Sequence, residues 1–167
     1  SSSTVTRAAD TLTVPAANLP YSSTNMSIQM DGRMTFADNG LAPEIEYYSW
    51  LLSSGNYIRS WLYTTTNRTG QPSFQQRSAS GLAKVDGPIS EYSPDVNVPF
   101  NLAGRYGSTF INGAVEGTAL TANTTPTALP DLSSTDLNLG YDFMGTIAQF
   151  RMWDEDLTDA GIEEAST

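Results

Sequence analysis

Apolar and polar residues alternate along this chain in short segments, and Gly, Pro, Asn and Asp interrupt them at roughly ten-residue spacing. A period of two predicts strands, and many short, evenly spaced strands predict an all-β protein: a two-sheet antiparallel sandwich. The expected strands cover 26–30, 33–37, 45–52, 57–64, 73–77, 98–106, 109–111, 114–116, 137–140 and 147–153. Asp31-Gly32 and Asn112-Gly113 each sit between apolar or β-branched runs, and both dipeptides suit the positive φ angles of a two-residue hairpin turn. Helical periodicity is confined to a short C-terminal stretch, 159–165, with Thr158 as N-cap and acids in its first turn.

The densest aromatic stretch is EIEYYSWLLSSGNYIRSWLYTT, from Glu44 to Thr65. It reads as a hairpin with Ser53-Ser54-Gly55-Asn56 as its turn and Leu52 opposite Tyr57. That register sets Trp50 opposite Arg59, Tyr48 opposite Trp61 and Glu46 opposite Tyr63. One face then carries Glu46, Tyr48, Trp50, Leu52, Tyr57, Arg59, Trp61 and Tyr63. The other carries Ile45, Tyr47, Ser49, Leu51, Ile58, Ser60, Leu62 and Thr64, a smaller and more aliphatic set that suits the space between two sheets. As core, the aromatic face would bury Arg59 and Glu46. As an open platform, its rings would stack on sugar C–H faces while Arg59 and Glu46 bond hydroxyls. The expected carbohydrate-binding set is therefore Glu46, Tyr48, Trp50, Tyr57, Arg59, Trp61 and Tyr63, with a bulky aromatic core as the competing arrangement.

A length of 167 residues suits one domain spanning the whole chain, with residues 1–10 reading as the end of a linker from a longer protein. There is no cysteine and no histidine, which removes disulfides, thiol and imidazole nucleophile systems and the usual zinc ligands. Eight Lys and Arg against eighteen Asp and Glu give a net charge of −10, so nucleic acid and anionic membrane surfaces are not expected partners. No apolar run reaches the roughly 18 residues of a membrane span, and no membrane insertion is expected. The sequons at Asn25, Asn67 and Asn123 carry no information in a chain so rich in Ser and Thr.

The order Arg105-Tyr106, TFINGAVEGT, LNLG and GTIAQFRMWDEDLTDAGI resembles the second half of the laminin-G/pentraxin-like group of concanavalin A-like jelly rolls. The matching positions are Asn112 and Gly113 of an Asn-Gly hairpin, then Gly145, Ile147, Phe150, Arg151, Met152, Trp153, Asp154, Leu157 and Thr158. The resemblance covers residues 98–165. It implies a jelly roll with a short C-terminal helix and makes Trp153 a packing residue. Gly161 departs from it, where the group often has a glutamate that closes a capping box. The opening TRAADTLTVP resembles segments before lectin-like modules of phage tail and fibre proteins.

That fold hosts lectins, glycosidases, lyases and scaffolds, so function must come from the site. Retaining glucanases on it use Glu-x-Asp-x-x-Glu, which Glu44-Ile45-Glu46 begins but Ser49 fails to complete. Lyases on it use a Gln-x-His strand, which a chain without histidine cannot supply. The resulting expectation is a non-catalytic, lectin-like module of a larger extracellular or virion-surface protein, such as a phage tail protein serving host attachment. Its partner would be a glycan or cell-surface polysaccharide. The alternative is a structural module meeting other chains of a phage tail or cell-surface assembly. No catalytic residue, cofactor or metal is expected. Calcium is the one ion the group's loops would suggest, and the acids Asp154, Glu155, Asp156 and Asp159 read as solvated charges beside a helix N-terminus. Treatment with EDTA should leave the melting temperature unchanged; a fall of more than about 4 °C would place a calcium site in the fold.

Overall fold

The structure is a computed structural model that describes residues 12–38, 40, 44–79 and 81–167. In chain order the strands are β1 (Leu12–Val14), β2 (Asn25–Phe36), β3 (Ile45–Ser53), β4 (Asn56–Tyr63), β5 (Gln71–Ser78), β6 (Gly81–Asp86), β7 (Asp95–Gly107), β8 (Ile111–Val115), β9 (Thr118–Ala119), β10 (Leu137–Leu139) and β11 (Gly145–Trp153), followed by helix α1 (Thr158–Ala165). They form two antiparallel sheets, ordered β1-β10-β3-β4-β5-β6 and β11-β2-β7-β8-β9. The linker-like residues 1–10 lie outside the described residues.

The sheets meet through the inward half of each alternating pattern: Ile28, Met30, Leu102 and Tyr106 from one, Trp50, Ile58, Leu62 and Phe74 from the other, all fully buried. At the centre, Gly104 and Gly113 lie side by side on β7 and β8. A Cβ on Gly113 would meet the Phe74 ring at 2.2 Å, and one on Gly104 would meet Phe74, Tyr48 and Tyr106 at 2.9 Å. The two glycines thus form a socket for a ring from the opposite sheet. Beside it the hydroxyls of Tyr48 and Tyr106 hydrogen-bond at 2.8 Å, each satisfying the other where no solvent reaches. Burial pushes both phenol pKa values up, so the pair stays neutral.

This socket explains one departure from expectation. Asn112-Gly113 is not a turn; it sits inside β8, paired with Arg105 and Gly104, because glycine is needed for space. The tight turn falls instead at Glu116-Gly117, where φ is 48° and 75°. Asp31-Gly32 is likewise inside the long strand β2, between β7 and β11. A Cβ at Gly32 would lie 2.1 Å from the Thr146 carbonyl oxygen of β11, so the dipeptide reports a close backbone approach. The short strands β1 and β9, and the alternating GLAKVD of β6, were not among the expected elements.

Helix α1 covers the outer face of the five-stranded sheet, where Ile162 packs on Ala103 and Ala114 with Leu157, Ala119 and Ala165 around it. Small side chains beneath it permit the close approach. Its start is tied down by polar contacts: Leu157 N–H donates to Ser27 Oγ, Ser27 Oγ donates to the Glu155 carbonyl, and Asp156 accepts from the Thr158 N–H. The residue capping the helix is Leu157, with Thr158 already inside it. Arg105 lies 3.2 Å from Asp156, an ion pair without hydrogen-bond alignment, and donates to Asp159 at 2.9 Å. Asn112 donates to Asp159 at 2.8 Å. Two of the four acids expected to be solvated are thus engaged by the sheet. Trp153 is half-buried on the outward side of β11, opposite Ser27 and outside both core clusters.

The socket sets a test. Gly113→Ala should cost about 1–3 kcal/mol by overpacking and Phe74→Ala about 3–5 kcal/mol by leaving a cavity. The double variant should cost clearly less than the sum in urea unfolding, because the new methyl enters the space the ring vacates. Strict additivity would remove the socket.

Candidate functional site

The β3–β4 turn is at Ser54-Gly55 as expected, but the register beyond it is not. Leu51, not Leu52, opposes Tyr57; Trp50 opposes Ile58, Tyr48 opposes Ser60 and Glu46 opposes Trp61, with irregularities between 51 and 53 and between 46 and 48. Each bulge shifts the pairing by one residue, which turns side chains to the other face. Tyr48 and Trp50 therefore leave the expected binding set. Both are fully buried between the sheets, Tyr48 on Tyr106 and Trp50 donating from Nε1 to the Thr135 carbonyl at 2.8 Å. Leu52 is likewise displaced, falling in the bulge itself. In exchange Ser49 and Leu51, expected inside, turn outward; Leu51 is 46% exposed.

The remaining five expected residues stay together on the outer face of the six-stranded sheet. Arg59 is the centre. Its guanidinium lies over Trp61 at 3.9 Å and over Tyr57 at 4.5 Å from the ring centroids. Both rings are buried, to 2% and 4% exposure, yet belong to neither core cluster: they are covered from outside, not packed between sheets. Arg59 also donates to Glu46 and to the Tyr57 hydroxyl, each at 3.4 Å. Tyr63 is half-buried, edge-on to Trp61 and under the guanidinium of Arg68 at 3.5 Å.

Strand pairing adds residues that the hairpin alone could not show. Thr13, Asn138, Ser49, Arg59, Gln75 and Lys84 stand side by side, one from each of the six strands. At about 4.8 Å per strand this polar row is about 24 Å long. A parallel row runs Leu51, Tyr57, Arg77, Leu82, and another Glu46, Trp61, Ser73, Asp86. The alternation of Ser73, Gln75 and Arg77 within one expected strand was the available signal; which strand it neighbours was not.

Burial raises the Glu46 pKa, against the opposing pull of Arg59 and a hydrogen bond from Ser49. At Asp86 burial also pushes upward, but bonds from Lys84 and Ser73 and the charge of Arg68 outweigh it and hold the carboxyl below its usual range. The two residues occupy opposite ends of a four-strand row, their backbones about 14 Å apart at 4.8 Å per step. Among the described residues no cluster of three or more His, Cys, Asp or Glu is placed to hold a metal ion. No described helix is long and apolar enough to cross a membrane.

No protein-family model matches the chain, and no curated protein matches it in sequence. Solved structures do match in shape. One is the CBM40 domain of the Ruminococcus gnavus IT-sialidase bound to α2,6 sialyllactose, at 11% identity and TM-score 0.65, covering 87% of this chain and 85% of that one. A heptameric SAP-like pentraxin from Limulus polyphemus matches at 10% identity and TM-score 0.62 over 89% of this chain and 72% of its own. A toad ovary galectin in complex with thio-digalactose matches at 9% identity and TM-score 0.55, covering 87% of this chain and all of its own (100%). The fold is thus a concanavalin A-like, laminin-G-type jelly roll, as the C-terminal motifs implied.

The two carboxylates should respond to pH with opposite signs. Asp86 stabilises the fold above the ordinary carboxylate pKa, so Asp86→Asn should lower the melting temperature by about 1–4 °C near pH 7 and by nothing once acid has protonated the wild type. Glu46, with a raised pKa, contributes most below that range, so the advantage of wild type over Glu46→Gln should shrink as pH rises. Melting curves from pH 3 to 8 read both; parallel trends would contradict the assignment.

Proposed function

We propose that the protein is a non-catalytic glycan-binding module whose ligand lies across the outer face of the six-stranded sheet. The observation that carries this is Arg59, stacked on Tyr57 and Trp61, in a row whose exposed members include Thr13, Asn138 and Lys84, on the sheet face opposite to the one α1 packs against. Hydrogen-bonding side chains at strand spacing match hydroxyls repeated along an oligosaccharide. The exposed edge of Tyr63, with Leu51 and Leu82, offers apolar surface for sugar C–H faces. The ligands named for the matching sialidase domain and galectin, sialyllactose and thio-digalactose, support the same class. An extracellular or virion-surface setting, within a larger protein, belongs to this proposal because glycans are displayed there.

Tyr57 and Trp61 serve in this arrangement by holding Arg59 flat and oriented, and the buried Gln75 supports it from beneath by accepting from the Tyr57 hydroxyl; the surface a ligand meets is Arg59, Arg77, Lys84 and Tyr63. A glycan array followed by calorimetry on the best ligand tests it. Tyr63→Ala should weaken binding by about thirtyfold, or 2 kcal/mol, while Gln149→Ala on the exposed edge of the other sheet should leave it unchanged. No glycan bound, or equal losses in both variants, would overturn the proposal.

A further inference from the structure

Half of the chain's eight basic side chains, Arg59, Arg68, Arg77 and Lys84, are gathered on or folded over this one sheet face. Only Glu46 and Asp86 of its eighteen acids stand among the outward strand positions there, with Glu44 just beyond the end of β3. In a chain of net charge −10 that is a local reversal of sign. Its geometry is specific. Arg59, Gln75 and Lys84 are directly opposite one another on β4, β5 and β6, while Arg77 lies two residues along β5 from Gln75. Arg77 is therefore a diagonal neighbour of both other cations, about 7–8 Å away between backbones. Three positive charges surround one amide.

The available acids do not neutralise this triangle. Arg77 has no hydrogen-bond or ion-pair partner among the described residues, and Lys84 shares Asp86 with Arg68, at 2.8 and 2.7 Å. The contacts of Arg59 to Glu46 and Tyr57, at 3.4 Å, are long for charge-assisted hydrogen bonds, which shorten to about 2.7–2.9 Å when well made. Among the described residues, Arg59 Nε and Trp61 Nε1 are buried and have no acceptor. A face with clustered cations and unfilled donors has a deficit of acceptors, and repulsion between its like charges falls when an anion arrives.

We infer that the ligand of this face is an anionic sugar, one whose carboxylate or sulfate ester is received between Arg59, Arg77 and Lys84. This rests on the glycan-binding proposal above and narrows its ligand class. A guanidinium held flat on two rings presents its edge in a fixed direction, which suits the planar fork of a carboxylate and the oxygens of a sulfate. The net negative charge elsewhere would repel a polyanion that did not find this face, so binding should depend on the cluster and not on bulk attraction.

The test is an array carrying neutral glycans beside their sialylated, uronate-containing and sulfated counterparts, with the best matched pair measured in solution. Acidic members should bind at least about tenfold more tightly than their neutral partners, and raising salt from 50 to 500 mM should narrow that gap. Whether the sialylated, uronate or sulfated set responds identifies the source of the anion. Arg77→Gln, at an exposed side chain without partners among the described residues, should keep the wild-type melting temperature and lose about tenfold in affinity for the acidic member. Arg151→Gln, the same charge change on the edge of the other sheet, should lose none. Neutral glycans bound as tightly as acidic ones, or equal losses in the two variants, would overturn the anionic assignment and leave the glycan proposal standing. Binding of neither class would overturn both.

Discussion

The contact on which the arrangement depends is the Phe74 ring seated against Gly104 and Gly113, with the Tyr48–Tyr106 hydroxyl pair alongside. It fixes which way β5 faces: with Phe74 inward, its neighbours Ser73 and Gln75 must point out, and Arg77 follows. Through the pairing of β4 with β5, the same contact makes Ile58, Ser60 and Leu62 interior and Tyr57, Arg59 and Trp61 exterior. One apolar anchor at the centre thereby orients a polar surface several residues away. A slip of one residue at Phe74 would place a serine or a glutamine in the glycine socket and turn the phenylalanine onto the outer face.

The overall architecture was legible because alternation with period two is a local property of the chain, and because the ordered motifs after residue 98 constrain the second sheet. Asp31-Gly32 and Asn112-Gly113 were misread for a shared reason. Glycine in such a dipeptide answers to two demands, positive φ in a turn or absence of a Cβ at a close approach, and only the three-dimensional neighbours distinguish them. Both proved to be the second kind. The C-terminal helix was visible in composition, while its clasp was not: Arg105 and the acids it holds are more than fifty residues apart in sequence.

The outer face of the six-stranded sheet shows the same division between local and distant information. Within β4 the sequence suffices, since no bulge interrupts Tyr57, Arg59, Trp61 and Tyr63. Within β3 it fails, because the two bulges depend on fitting Tyr47, Tyr48 and Trp50 together into the core. The cation triangle draws on three strands and could be seen only after their order and register were known. Its residues are ordinary surface positions taken singly. Together they give an acidic protein one face of the opposite character, bounded by the rows on either side.

The bulges in β3 have a further meaning for how such a surface changes over generations. Residues 48–51 form a short cassette between two points where one residue can be gained or lost without disturbing the turn at Ser54-Gly55 or the pairing of β4 with β5. Insertions and deletions usually act on loops. Here a single-codon event inside a strand would exchange the inward and outward members of the cassette, presenting tyrosine and tryptophan to solvent in place of serine and leucine. Because that exchange would also break the Tyr48–Tyr106 hydroxyl pair and the Trp50 bond to the Thr135 carbonyl, the core locks the phase of β3 and leaves variation to the outward positions of the unbulged strands beside it.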